Sequence, residues 1–307
     1  MRMKLRLVAL LKDVPMRNKF KNSILFLLKP LRFLKFKMQS KLNLIDLDTV
    51  YFEGGLGSQI LSYLTFRAKN EKNEKVLCDF TYFQNISTDS HGENQISLWG
   101  YKLDHYGISI SDLPNRNKKS RLKIKPKFIP LDFLSIDREF LNKVKSEIKL
   151  DHVSLRTYLR AHNLQTDDPY GVVHLRKGDY LFVASHLITE KQVIKLISKI
   201  SDFLPDKVFL ASDGEIDQSL IDWFKVNRPN IQLITTDRDI DPFILHDLMR
   251  NSRLLITANS TFSFSAALLS SEQTISFVPQ IFYKEDLNRA TDSSIHQFAS
   301  DYAILRY

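Results

Sequence analysis

The chain has 307 residues, 43% of them hydrophobic and 26% charged, a balance that excludes intrinsic disorder and leaves room for two domains with separate cores. A single cysteine, Cys78, excludes an internal disulfide and a paired-cysteine metal motif, and fits a reducing compartment. The net charge of +9 belongs to the N-terminus: residues 1–45 carry twelve Lys/Arg against one acid, Asp13, so the rest of the chain comes to −2 and is not a polyanion-binding body.

Residues 1–45 read as a basic arm. Within it, NKFKNSILFLLKPLRFLKFKMQ (18–39) interleaves Phe, Leu and Ile with Lys and Arg. Its longest apolar run, Ile24 to Leu28, is far short of the ~20 residues that span a bilayer. It also lacks the apolar core and small-residue cleavage site of a signal peptide. Such a segment suits the surface of an anionic membrane; a solvated arm and a helix packed on the body are the alternatives. No base-reading or base-stacking module follows, so nucleic acid is not an expected partner.

From residue 46 the pattern changes. Thr49 to Phe52 reads as a short strand that runs into the turn GGLGSQ (54–59), then a helix from Ser58 to about Asn70. KVLCDF (75–80) is the next strand. Residues 81–130, broken by Pro114, Pro126 and Pro130, read as irregular. Beyond residue 170 the expected strands are Gly171–Leu175, Lys207–Ala211, Ile231–Thr235, Arg253–Ala258 and Thr274–Val278. A capping box, Thr189 with Gln192, opens a helix whose Val193, Ile194, Ile197, Ile200 and Phe203 recur at helical spacing. Further helices are expected over Ile216–Val226, Pro242–Asn251 and Phe262–Leu269. Strand–helix alternation with short connectors implies βαβ units and a parallel sheet. The expectation is α/β, with two domains, 46–160 and 161–307, facing each other across a cleft.

In such sheets ligands bind beyond the carboxyl ends of the strands, and four polar features fall there: GGLGSQ (54–59), HLRKGDY (174–180), SDGE (212–215) and ANSTFS (258–263). GGLGSQ is neither a dinucleotide fingerprint, since Ile60 stands at the third glycine position, nor a P-loop, since the lysine and hydroxyl are missing. It still presents free N–H groups at a helix start, where an anion or a hydroxyl-rich ligand can bind; a tight strand-to-helix turn is the other reading. In HLRKGDY the alternation puts His174 and Arg176 on one face. A guanidinium forks onto phosphate oxygens and keeps its charge, while Asp179 can orient it or accept a proton. A buried ion pair beside a satisfied histidine is the alternative. Asn259, Ser260 and Thr261 occupy a helix start where capping needs one of the three, which leaves a second phosphate cradle. The pairs Asp46/Asp48, Asp237/Asp239 and Asp239/Asp241 have the spacing that holds a divalent ion, but Arg238 inside one of them points to local charge compensation. No nucleophile elbow or kinase signature is present.

The order and wording of these four features resembles glycosyltransferase family 11, the α-1,2-fucosyltransferases, over residues 49–285. Its members carry a GGLGNQ turn, an HxRRxDY motif, a Ser-Asp strand end and an NSxFSWW helix start; here these stand as Gly54–Gln59, His174–Tyr180, Ser212-Asp213 and Asn259–Phe264. The resemblance implies a GT-B fold of two Rossmann-like domains, an acceptor-side domain over 46–160 and a nucleotide-sugar domain over 161–307. It implies inverting transfer of L-fucose from GDP-fucose to a galactose hydroxyl, with no cofactor and no required metal. Arg176 would hold the donor diphosphate, His174 would support it, and Lys177, Asn259, Ser260, Thr261 and Asp213 would complete the donor site. Gly55, Gly57, Ser58 and Gln59 would shape the cleft on the acceptor side, and Asp179 would be the base.

This chain departs from the family at Ser58 for Asn, Lys177 for Arg, and Phe264-Ser265 for Trp-Trp. Lys177 keeps the charge but loses the fork. The expected protein is a galactoside α-1,2-fucosyltransferase of the hexosyltransferase class. It would be cytoplasmic and peripheral on the inner membrane face, and would extend a surface glycan such as a lipid-linked O-antigen unit. The alternatives are transfer of another GDP-linked 6-deoxysugar and a non-catalytic glycan-binding protein.

Overall fold

The computed structural model describes residues 49–71, 76–84, 100–114, 138–178, 187–279, 295–298 and 302–305. The basic arm 1–45, Asp46, Asp48, Asp179 and most of 81–130 lie outside the described residues. All described residues belong to one compact unit, Asp48–Asn117 with Lys127–Tyr307.

The unit begins with a βαβ element. Strand β1 (Thr49–Tyr51) feeds helix α1 (Leu56–Glu71), and β2 (Leu77–Asp79) returns parallel to β1, with Thr49 opposite Leu77 and Tyr51 opposite Asp79. After the short α2 (Thr81–Gln84) come two 3₁₀ turns, Leu103–Tyr106 and Ile110–Asp112, then α3 (Arg138–Glu147) and α4 (His152–Ala161). Strict alternation follows: β3 (Gly171–Leu175), α5 (Glu190–Ile200), β4 (Lys207–Ser212), α6 (Gln218–Asn227), β5 (Gln232–Thr235), α7 (Pro242–Arg250), β6 (Leu254–Ile256), α8 (Thr261–Leu268) and β7 (Ile275–Pro279). The chain ends in β8 (Ile295–Phe298) and β9 (Tyr302–Leu305).

Seven strands form the main sheet in the order β5-β4-β3-β6-β7-β9-β8. The first five are parallel, while β9 runs antiparallel to both β7 and β8. The α/β class expected from the alternation is the one observed. Successive strands are added first on one side of β3 and then, from β6 onward, on the other. This order is that of a doubly wound sheet, and its topological switch point lies between β3 and β6.

Local chemistry explains why the helices start where they do. Thr189 forms the expected capping box with Gln192. Asp217 caps α6, Asp241 caps α7 ahead of Pro242, and Ser260 caps α8; each side chain satisfies an otherwise orphaned N–H. The α5 pattern stops one turn earlier than its spacing predicts. Ser201–Phe203 is a 3₁₀ turn, and Phe203 is exposed rather than core, because Pro205 two residues on cannot continue a helix.

The period of two along β3 sorts its side chains between two cores. Val172 packs with Leu155 and Leu159 of α4, Leu248 of α7 and Phe264 of α8. Val173 and Leu175 pack with Val193 and Ile197 of α5 and Leu220 of α6. The first core also takes in Ile60, Leu61 and Leu64 of α1, so it is continuous across residue 160. A buried pair locks α7 in place: Arg250 contacts Asp247 at 3.3 Å and donates to the Ile148 carbonyl at 2.7 Å, while Asp247 accepts from the Asp151 N–H at 2.8 Å. No helix among the described residues is long and apolar enough to cross a membrane.

Candidate active site

The register of the sheet lines up three polar groups across its carboxyl edge. Leu175 is opposite Ser212 in β4, and Val173 is opposite Ile256 in β6. Just past these strand ends lie Arg176 after β3, Asp213 after β4 and Asn259 after β6. This is the switch point, where the backbone leaves a crevice.

Asp213 organises the loop after β3. One carboxylate oxygen accepts the Lys177 and Gly178 N–H groups at 2.6 and 3.0 Å, and the other pairs with Arg176 Nη1 at 2.7 Å. The fit is tight: a Cβ on Gly178 would stand 2.6 Å from that second oxygen. Asp213, expected in the donor site, sits as the clamp that aims the Arg176 guanidinium. Lys177, expected at the donor, is engaged within the protein. Its ammonium pairs with Glu190 at the start of α5, both side chains nearly buried, and the same Glu190 oxygen accepts the Asp217 N–H at 3.0 Å.

Three buried polar side chains around this edge lack protein partners. His174 is 5% exposed, and its Nδ1 has no hydrogen bond. Burial, against the pull of Asp213 and with the help of Arg176, pushes its pKa down to about 4, so the ring is neutral near pH 7. Asn259 is 1% exposed, and neither its amide oxygen nor its amide nitrogen is bonded. Thr236, just past β5, also has an unpartnered Oγ1. It lines a cavity of about 300 Å³ with Ser212, Glu215, Ile216 and Arg238, beyond the ends of β4 and β5. Each buried group left without a hydrogen bond costs about 1–3 kcal/mol, and such groups in native folds call for an explanation. Such atoms also occur elsewhere among the described residues, as at Tyr106, Tyr158 and Ser276, but Asn259 is the one side chain with two of them. A cavity of about 400 Å³ between α6 and β5, lined by Phe224, Ile231 and Leu233, lies away from this cluster.

The glycine turn meets the same place from the other side. A Cβ on Gly57 would lie 2.4 Å from the backbone N and Cα of Phe262. The first turns of α1 and α8 thus touch backbone to backbone, and only glycine fits between them. Ser58 Oγ and Thr261 Oγ1 share a hydrogen bond of 3.1 Å across this contact. Two positive helix ends are brought together, an arrangement that favours an anion. Gln59 is fully used in holding the turn: its Nε2 donates to the Gly54 and Gly100 carbonyls, each at 2.9 Å, and its Oε1 accepts the Lys102 N–H at 2.8 Å. Gly54 sits at φ +75°, which a side chain would strain.

Of the expected cradle Asn259-Ser260-Thr261, then, Ser260 caps α8, Thr261 pairs with Ser58, and Asn259 is left open. Gly55 has open space around its Cα. Asp241, one of the aspartates weighed for a metal, accepts the Phe243 N–H at 2.7 Å as a helix cap. Among the described residues no three His, Cys, Asp or Glu side chains gather in a metal-binding group.

Sequence reasoning missed four contributors: Glu190, Thr236, Phe262 and His246. Their roles depend on partners that no sequence spacing reveals.

No family model matches the chain, and no curated protein matches it. Among solved structures it is similar to POFUT1 in complex with GDP-fucose, at 16% identity and a TM-score of 0.35, covering 43% of this chain and 46% of that one. It is also similar to NodZ alpha-1,6-fucosyltransferase co-crystallized with GDP, at 15% identity and a TM-score of 0.40, covering 75% of this chain and 93% of that one. Against the first of these, the matched part spans less than half of the solved chain.

Proposed function

We propose that the chain is an inverting glycosyltransferase of GT-B type that transfers L-fucose from GDP-fucose. The carrying observation is the unpartnered, buried Asn259 amide just past β6, one of the two strands that flank the switch point of the sheet. A ligand with several oxygens at that point satisfies the amide, and a diphosphate also suits the guanidinium and the two helix ends. The four motifs, in the order in which the resembled family carries them, support fucose as the sugar and a galactose 2-hydroxyl as the acceptor. In this reading residues 161–307 hold the donor and 46–160 the acceptor side, with Gly55 at the open edge.

The chemistry is a displacement at the anomeric carbon. The acceptor oxygen forms its bond to that carbon as the bond to the diphosphate oxygen breaks, and GDP leaves with the electron pair. Arg176, aimed by Asp213, stabilises the negative charge that develops on the leaving diphosphate, the kind of preorganised electrostatics that contributes most in such steps. Neutral His174 and the Asn259 amide supply hydrogen bonds without adding charge. The acceptor proton passes to a carboxylate, for which Asp179 is proposed. The nucleoside fits the cavity at Thr236, whose apolar wall includes Ile216. The arm 1–45 would hold the enzyme on an anionic membrane surface, at the cytoplasmic face.

The test is transfer from GDP-fucose to a panel of galactose-terminated acceptors by the full chain. Product with an α-1,2 linkage is expected. Absence of transfer across the panel overturns the fucosyl reading, and turnover with a different GDP-6-deoxysugar would replace the donor sugar. For the arm, deleting residues 1–40 should move the protein from vesicle pellet to supernatant; an unchanged distribution contradicts it.

A further inference from the structure

We infer that the ring of Phe262 is a positioning residue for His174: it closes the imidazole against water and fixes where its open Nδ1 points. The inference rests on the donor-site reading of His174 given above. His174 and Val172 share one face of β3, the face that packs on α7 and α8. There the Phe262 ring lies 5.9 Å from the His174 ring and 5.5 Å from that of His246, measured between centroids. His246 is itself fixed, with Nε2 bonded to Ser265 Oγ at 3.0 Å. The Phe262 backbone has no freedom to follow a shift of its ring. Its N–H donates to Ser260 Oγ at 3.3 Å, and its Cα and N abut Gly57 of α1. A rigid backbone and a ring in contact with two buried imidazoles make Phe262 a fixed wall rather than an adaptable core residue.

The titratable and charged groups that face His174 are Asp213 just past β4, Arg176 just past β3 and, by way of Phe262, His246 from α7. Burial is the largest cause of the low His174 pKa, so a ring packed on the imidazole, as that of Phe262 is, helps to keep it neutral. With the wall removed, water reaches the imidazole and the neutral ring is no longer enforced.

Histidine-selective NMR titration of the full chain tests this directly, with the His174 signal assigned from a His174→Gln spectrum. In the native chain His174 stays neutral down to about pH 5. In Phe262→Ala its midpoint should rise toward the ordinary 6.5, while Phe262→Leu should restore native titration. Should Phe262→Ala fail to fold, Phe262→Val is read in the same way. A His174 titration unchanged in the folded Ala or Val variant overturns the inference, as does an equal shift in the Leu variant. The readout needs no turnover, so a chain that binds no GDP but shows the shift would refute the donor reading and leave the positioning intact.

Discussion

Gln59 and Asn259 are both carboxamides shut away from solvent, 0% and 1% exposed, at the starts of α1 and α8. Those two helix starts touch through Gly57 and Phe262. Gln59 makes three hydrogen bonds, to the Gly54 and Gly100 carbonyls and from the Lys102 N–H. Asn259 makes none. A satisfied buried amide holds structure, whereas an orphaned one costs the desolvation of its N–H and C=O groups until something binds. The same contrast divides the cations. Lys177 is closed off by Glu190, while Arg176 is held by Asp213 with its side chain 36% exposed. Residues of the same chemical type, in motifs that look alike in sequence, thus fall into a group that holds the fold and a group that, in the proposed function, waits for a ligand.

The largest effect should come from the waiting group. Arg176→Ala is expected to lower fucosyl transfer by about 10²–10³-fold, with little change in melting temperature. A near-native rate would remove the residue from the mechanism. The two amides should then separate stability from binding. Gln59→Leu leaves two carbonyls and an N–H without partners and should cost about 3 kcal/mol in urea unfolding, with GDP affinity retained in the folded fraction. Asn259→Leu, near in volume, should leave stability unchanged or raise it by about 1 kcal/mol, yet weaken GDP at least about tenfold. If both variants lose stability alike, the contrast between the two amides fails.

A pH series sharpens the contrast because the waiting group contains a titratable ring. The folded pKa of His174 lies at about 4, below the ordinary 6.5. As pH falls, the unfolded chain takes up the proton first, so this contribution is complete above pH 6.5 and is lost toward pH 4. By pH 5 the loss is about 2 kcal/mol. Urea unfolding at pH 7 and pH 5 should show it, and His174→Gln should reduce the dependence, the remainder coming from His246, which burial also holds well below the usual range; equal slopes contradict the assignment. The smallest effect belongs to the closed-off cation. The double variant Lys177→Met/Glu190→Gln should keep stability within about 1 kcal/mol and GDP affinity within about threefold. A tenfold loss of affinity would return Lys177 to the donor site.

Much of the C-terminal sheet was legible in the sequence. β3 spans the expected Gly171–Leu175, β4 runs one residue past its expected end, and β6 keeps only Leu254–Ile256 of the expected Arg253–Ala258. Apolar runs bounded by turn residues carry that signal, and the Thr189–Gln192 capping box marks a helix start without tertiary help. α3 and α4 fall between residues 131 and 169, where no element is expected, although α4 starts at a local cap, Asp151, whose carboxylate accepts the Val153 and Ser154 N–H groups. The antiparallel pair β8–β9 was missed as well, since its partner is β7, a pairing that spacing does not encode. At the site, the identity of the strand-end residues was legible but their orientation was not. Lys177 and Glu190 are thirteen residues apart, and Arg176 and Asp213 meet only because β3 and β4 are neighbours in register.

Isothermal titration of the full chain with GDP tests the central claim most directly. The native chain should bind one GDP, Asn259→Leu should bind at least about tenfold more weakly, and Gln59→Leu should bind within about threefold of native. No saturable heat with GDP from the native chain, or equal affinity in the native chain and Asn259→Leu, would contradict a nucleotide-sugar site at the β3–β6 switch point.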